Sequence, residues 1–278
     1  MPVRPGEPAE TDPAFPFDVR EFARRATGSH RDDLRLAEYD ARPLTWETLR
    51  CLRYVRDVER ATMRHLRTVL VTPTHKDAHI TAFLTTWAYE KYWIADALDA
   101  VLEQHEYVQP PAPRRPVTRA ALLRRAQERF SPIGRSLIDN TIGEAVIAFH
   151  MATGTIDEWM TRASYERIAE SAEHKELTRT LERVLDIKSQ HLAFFIAQAR
   201  TRLRRSRLAR RLTRARLQRS LWPLSVADEP IEEESFFFDR VFAAAPALVD
   251  EIDRRVRALP GLEGLTLIRA TVAARRHI

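Results

Sequence analysis

A single cysteine, Cys51, in a chain of 278 residues excludes an internal disulfide framework and fits a reducing compartment. Glycine is scarce, with 7, while Ala, Leu, Arg and Glu are abundant, which favours an all-α protein. No apolar run approaches the roughly 18 residues of a membrane span, and no apolar signal core opens the chain. These absences predict a soluble, cytoplasmic protein without a transmembrane segment. Acid is missing from residues 200 to 219, where ten arginines stand without one aspartate or glutamate. The net charge of +6 is therefore concentrated there, and the rest of the chain is slightly acidic.

Proline marks the boundaries. Five prolines in residues 1–18, with no periodic apolar pattern, predict a disordered or loosely docked arm. Periodic segments then predict helices over 45–70, 77–106, 118–130 (with Thr118 as N-cap), 132–171, and 174–205 with an extension toward 217. The stretch "QPPAPRRP" separates the second from the third, and prolines 223 and 230 close the last. One further helix is expected over 235–259, ended by "LPGLEGL". The expected architecture is an all-α, up-down bundle of four long helices over 45–205, with a crossover between the second and third long helices. A basic helical extension and a small helical appendage occupy 206–278.

Each long helix carries an apolar stripe at alternating spacings of three and four, and each stripe is interrupted near its middle by a charge. The first stripe reads Leu52, Val55, Glu59, Thr62, Leu66, Val69, and the second Leu84, Trp87, Lys91, Ile94, Leu98. The third reads Ile147, Met151, Gly154, Glu158, Tyr165, Ile168, and the fourth Leu181, Val184, Lys188, His191, Phe195. One such interruption is commonly a snorkelling side chain. Four at comparable depth, two acids and two lysines, predict an internal cluster whose members neutralise one another, because an isolated buried charge costs several kcal/mol.

The segments that hold these residues are "VRDVERATMRHL", "FLTTWAYEKYWIADAL", "GTIDEWMTRASYERIA" and "DIKSQHLAFF". Over about residues 45–200 they resemble the four ligand helices of the ferritin-like di-iron carboxylate proteins, which offer a Glu from each of two helices and Glu-x-x-His from each of the other two. The resemblance implies Glu59, Glu158 and His191 at ligand positions. It also exposes departures: Lys91 and Lys188 stand where the family has Glu, and Ile94 where it has His. Neighbouring acids do not repair the set, since Glu90 points about 100° away from Lys91 on its helix and Asp186 faces elsewhere. Two ammonium groups would repel a metal held by so few ligands. The expectation is a degenerate, metal-free site of Glu–Lys ion pairs. The alternative is an iron or manganese centre on Glu59, Glu158 and His191, serving a di-iron-like oxygenase, desaturase or N-oxygenase.

Two metal-free functions follow from this pattern. One is a non-redox enzyme of specialised metabolism, in which Lys91 or Lys188, with a depressed pKa, acts as general base or forms a Schiff base, Glu59 or Glu158 shuttles protons, and His191 completes the site. The other is a pseudoenzyme, an interaction or accessory subunit that keeps the bundle. The resemblance further implies a homodimer and a small-molecule or carrier-protein-bound substrate. Trp87, Tyr92, Trp93, Trp159 and Tyr165 are assigned to packing, and His65, His75, His79, His105, His150 and His174 show no metal-like grouping. The arginine segment 200–219 is read as a solvated basic helix pairing with acids such as those in "DEPIEEES", with membrane, nucleic-acid and carrier-protein contacts as functional alternatives. No nucleic-acid fold accompanies it, so no nucleic-acid partner is expected.

Overall fold

The computed structural model describes residues 17–107, 119–219 and 231–275, with the backbone alone over 119–142 and at 231. Every element among these residues is helical. The α-helices in chain order are α1 (Val19–Arg24), α2 (Ala37–Ala41), α3 (Trp46–Leu70), α4 (Ala78–Gln104), α5 (Arg119–Ala172), α6 (Lys175–Arg205), α7 (Arg207–Leu217), α8 (Ile231–Phe238), α9 (Pro246–Arg257) and α10 (Leu267–Arg275).

The starts of the long helices are written locally. Thr45 Oγ1 accepts from Thr48 N, Asp77 Oδ1 from Ile80 N at 3.1 Å, and His174 Nδ1 from Leu177 N at 3.2 Å. Each satisfies an otherwise unpaired N–H of the first turn. Because the His174 ring accepts there through Nδ1, its proton sits on Nε2 and is donated to Arg42 O at 2.8 Å. That bond ties the segment before α3 to the start of α6.

All four stripes are buried, from Leu52 to Phe195. α3 lies along α4, and α5 along α6, while α3 also meets α5 and α4 meets α6. Residue pairs give the directions. Arg202 with Glu144 and Arg162 with Leu185 O run α6 against α5. Glu59 with Tyr165 and Thr74 with His150 run α5 against α3. Glu90 with His191 and Asp77 with Arg202 run α6 against α4.

Several expected boundaries shift. Helices 118–130 and 132–171 form one element, α5, whose backbone leaves helical dihedrals at Gly143 rather than at a proline; Thr118 lies outside the described residues. The 174–217 run is two helices, since Ser206 adopts an extended conformation and its hydroxyl caps α7 at Ala209 N. The single helix expected over 235–259 is divided into α8, a π-helical turn (Asp239–Ala243) and α9. Pro246 is the reason: it cannot continue a preceding helix but fits the first turn of a new one. The short α1 and α2, and α10, were not anticipated. Most of the expected arm 1–18 lies outside the described residues, and its last two residues are docked. Asp18 caps α1, and Phe17 packs edge-on against Phe22, Phe83 and Phe194.

Gly154 positions the middle of α5 against α6. A Cβ at this position would overlap the ring of Phe195. In an ordinary helix Gly→Ala gains about 1 kcal/mol. Overpacking of a filled core costs roughly 1–3 kcal/mol and should win here. Gly154→Ala is therefore expected to lower stability in urea denaturation, and adding Phe195→Leu should return part of the loss; a stabilised Gly154→Ala would show that the contact is slack.

Candidate functional site: a buried cluster of lysines and carboxylates

Glu59, Lys91, Glu158 and Lys188, one from each long helix, meet at the centre of the fold, and none is more than 3% exposed. Lys188 Nζ lies 3.0 Å from Glu59 Oε1 and 2.9 Å from Glu158 Oε2. Lys91 Nζ lies 2.9 Å from Glu59 Oε2 and 3.7 Å from Glu158 Oε1. Each ammonium thus faces both carboxylates. Two aromatic residues complete the shell: Tyr165 Oη donates to Glu59 Oε1 at 2.9 Å, and Trp87 Nε1 donates to Glu158 Oε1 at 2.9 Å. The sequence assigned both to packing, yet their polar ends are functional parts of the network.

His191 belongs to a second layer. Its Nε2 is 2.7 Å from Glu90 Oε2, while its Nδ1 is 3.9 Å from Glu158 Oε1 and has no hydrogen-bond partner. Glu90 in turn accepts from Thr27 N at 2.8 Å. Contrary to the expectation from its angle on the helix, Glu90 takes part. Its carboxylate leaves the inner stripe, as expected, but α6 packs close enough on α4 for His191 to reach it. Asp186 is exposed and takes no part. Ile94 is fully buried and apolar.

The electrostatics follow from the geometry. Burial raises the Glu59 carboxyl, but Lys188 and Lys91 together outweigh it and hold the group below the usual carboxylate range. Glu158 is affected in the same way and more strongly. Burial alone would lower Lys91; Glu59 and Glu158 overcome that and raise it. This corrects the expectation of a depressed lysine at 91: its ammonium form is favoured, which opposes Schiff-base or general-base use. Tyr165 is pushed well above its ordinary 10.0, first by burial and then by the Glu59 charge. Asp157, beside Glu158, is also raised well above the ordinary range, chiefly by burial. His65 is lowered to about 4 by burial and by Lys91.

The donor set does not fit an iron or manganese centre on Glu59, Glu158 and His191. The oxygens of both carboxylates face ammonium or N–H and O–H donors, and the His191 Nε2 lone pair or proton is directed at Glu90. Among the described residues no group of three or more His, Cys, Asp and Glu side chains is arranged to hold a metal ion. Next to the cluster, His65, Trp87, His150, Met151, Gly154 and Phe195 line a void of about 10 Å³. That is room for about one water.

No family model, curated protein or solved structure matches this chain.

Removing one member of a buried ion pair strands the other, at about 3–5 kcal/mol. Glu59→Gln should therefore destabilise by that amount, while Glu59→Gln with Lys91→Met should recover a large share; simple additivity in urea titrations would argue against a shared network. Above about pH 10 the linkage has one sign. Lys91 and Tyr165 both have raised pKa values in the fold, so the unfolded chain releases their protons first and stability falls as pH rises through 10.0 and 10.5. Tyr165→Phe is expected to shallow that alkaline slope. On the acid side His65 binds its proton only near 4, so between pH 6.5 and about 4 stability falls as pH is lowered. His65→Gln should flatten this limb, read from urea midpoints across that range.

Proposed function

We propose that the chain is a ferritin-like four-helix bundle of α3, α4, α5 and α6, with a crossover between α4 and α5, in which ammonium–carboxylate pairs stand in place of a metal pair. The helix directions support this architecture, since α4 and α5 both run against α3. On this reading the protein is a pseudoenzyme, an accessory or binding subunit that retains the bundle and not the redox chemistry. The observation that carries the proposal is Lys188 Nζ lying within 3.0 Å of Glu59 and 2.9 Å of Glu158. A cation already occupies the space between the two carboxylates, and it comes from the chain itself.

The lysines support a structural rather than a nucleophilic role. A reactive amine needs a substantial neutral fraction and access for a carbonyl carbon. Lys91 is held as ammonium by two carboxylates, and the adjoining void of about 10 Å³ does not admit an organic substrate. The cytoplasmic location and the homodimer belong to the same proposal.

Metal analysis tests this reading. After expression with supplemented iron and manganese, the purified protein should contain metal near zero per chain. The double variant Lys91→Glu/Lys188→Glu restores a four-carboxylate centre and should take up divalent metal when folded. Stoichiometric metal in the unmodified protein, lost in His191→Ala, would instead establish a residual centre on Glu59, Glu158 and His191.

A further inference from the structure

The fold sorts nine of the ten arginines of residues 200–219 into two sets. Arg202 meets Asp77 and Glu144. Arg210 Nη1 donates to Leu203 O at 2.8 Å and Arg204 O at 3.2 Å. Arg214 Nη1 donates to Glu263 O at 2.8 Å and Gly261 O at 3.3 Å, and the Arg216 guanidinium lies 5.1 Å over the Phe149 ring. Arg202 thus holds α6, Arg210 ties α7 to the end of α6, and Arg214 and Arg216 fix α7 against the loop that follows α9 and against α5. Gly261, at φ +84°, lets that loop lie on the Arg210 methylenes, which a Cβ would overlap.

The second set consists of Arg204, Arg205, Arg207, Arg211 and Arg219. All five are exposed, and their side chains have no hydrogen bond or ion pair among the described residues. Two of the acids expected to pair with this segment are engaged elsewhere, and among the described residues Glu232 is exposed without an ion pair to it. Glu233 holds Arg50 and Arg53, and Glu234 holds Arg275; Asp228 and Glu229 lie outside the described residues. The arginines have therefore been left uncompensated while Glu233 docks α8 on α3 and Glu234 ties it to α10.

Arg204 and Arg205 end α6, while Arg207, Arg211 and Arg219 lie on one side of α7 and the turn that follows it. At roughly 100° per residue, Arg207, Leu208, Arg211, Ala215, Gln218 and Arg219 fall within about a third of the circumference and are exposed, whereas Ala209, Thr213 and Leu217 are buried on the other side. The exposed face contains no acid. It does contain Leu208, 53% exposed and flanked by arginines. Where α6 passes into α7, a surface pocket of about 540 Å³ is lined by Glu144, Gln198, Thr201, Arg202, Arg205 and Ser206.

We infer that this face of α7 is a docking surface for an anionic phospholipid bilayer. Its free arginines take headgroup phosphates, Leu208 enters the boundary of the acyl region, and the pocket beside Arg205 receives one headgroup. Guanidinium groups suit phosphate oxygens because of their planar donor geometry, and clusters of four to eight basic residues bind acidic lipid; the three arginines of this face and Arg204 and Arg205 at the end of α6 make five. Leu208 decides between polyanions. An exposed leucine amid the phosphate-binding groups gains free energy at a lipid interface and gains little along a nucleic-acid backbone. No described helix is long and apolar enough to cross a membrane, so the contact is peripheral.

Co-sedimentation of the full chain with phosphatidylcholine vesicles, with and without phosphatidylserine, tests the inference. Binding is expected only with phosphatidylserine and should weaken with salt. Each basic residue contributes roughly fivefold to partitioning, so Arg207→Glu/Arg211→Glu should lose at least about 25-fold while keeping its helical circular dichroism. Leu208→Ser should weaken vesicle binding and leave any affinity for duplex DNA unchanged. Absence of binding to phosphatidylserine vesicles at low salt, or binding indifferent to Arg207→Glu/Arg211→Glu, overturns the proposal. So does tight DNA binding that displaces vesicles fully with Leu208→Ser without effect, which would assign the surface to nucleic acid.

Discussion

Taking a carboxylate or ammonium out of water costs several kcal/mol per ion after relaxation, so Glu59, Lys91, Glu158 and Lys188 constrain the helices that carry them. The cost is recovered only when each charge lies within contact distance of an opposite one, as the Nζ–Oε separations of 2.9–3.0 Å provide. Sliding any one of α3, α4, α5 or α6 by a turn would strand at least two charges in an apolar interior. The network therefore acts as a register device. Apolar residues alone tolerate substitution and small shifts, whereas a centre of this kind accepts one alignment.

The remaining parts of the centre serve that requirement. Two ammonium groups and two carboxylates leave acceptor capacity unused, and Tyr165 and Trp87 fill it with donors whose rings also pack in the core. Lys91 Nζ lies 4.9 Å over the Trp87 ring, so the same side chain receives the cation on its face and supplies an N–H to the neighbouring carboxylate. The absence of a side chain at Gly154 lets Phe195 close the space beside them. Burial pushes the Asp157 carboxyl up, which disfavours a further negative charge beside the four central groups. Outside this layer, Glu90 links His191 to Thr27 N, so the segment before α3 is held to the same centre.

Much of this was legible in the sequence because a helix presents one line of residues to its neighbours. Counting by three and four picked the interior face of each long helix, and the charges on those lines met. The same one-dimensional counting failed for Glu90. A glutamate one step off the line can still reach a partner when two helices approach closely, and no residue pattern on α4 reports the position of α6. Trp87 and Tyr165 were correctly placed inside, but only the fold shows which acceptor waits for each donor. Short helices such as α1 and α2 span too few turns to display a period, and α9 was merged with α8 because the apolar spacing continues across Pro246.

The arginine segment shows the complementary limit, where composition identified an excess of charge without its destination. Proximity in sequence suggested that the glutamates of 232–234 neutralise it. Instead, Arg53, fully buried on α3, draws Glu233 inward together with Arg50. A buried guanidinium without a partner costs far more than exposed ones left to water, so the scarce acids go to the interior and the surplus cations remain outside. Backbone carbonyls then satisfy the inward-facing Arg210 and Arg214, and the outward-facing arginines keep their full charge. The demand of the core for counter-ions thus determines which part of the surface stays strongly basic.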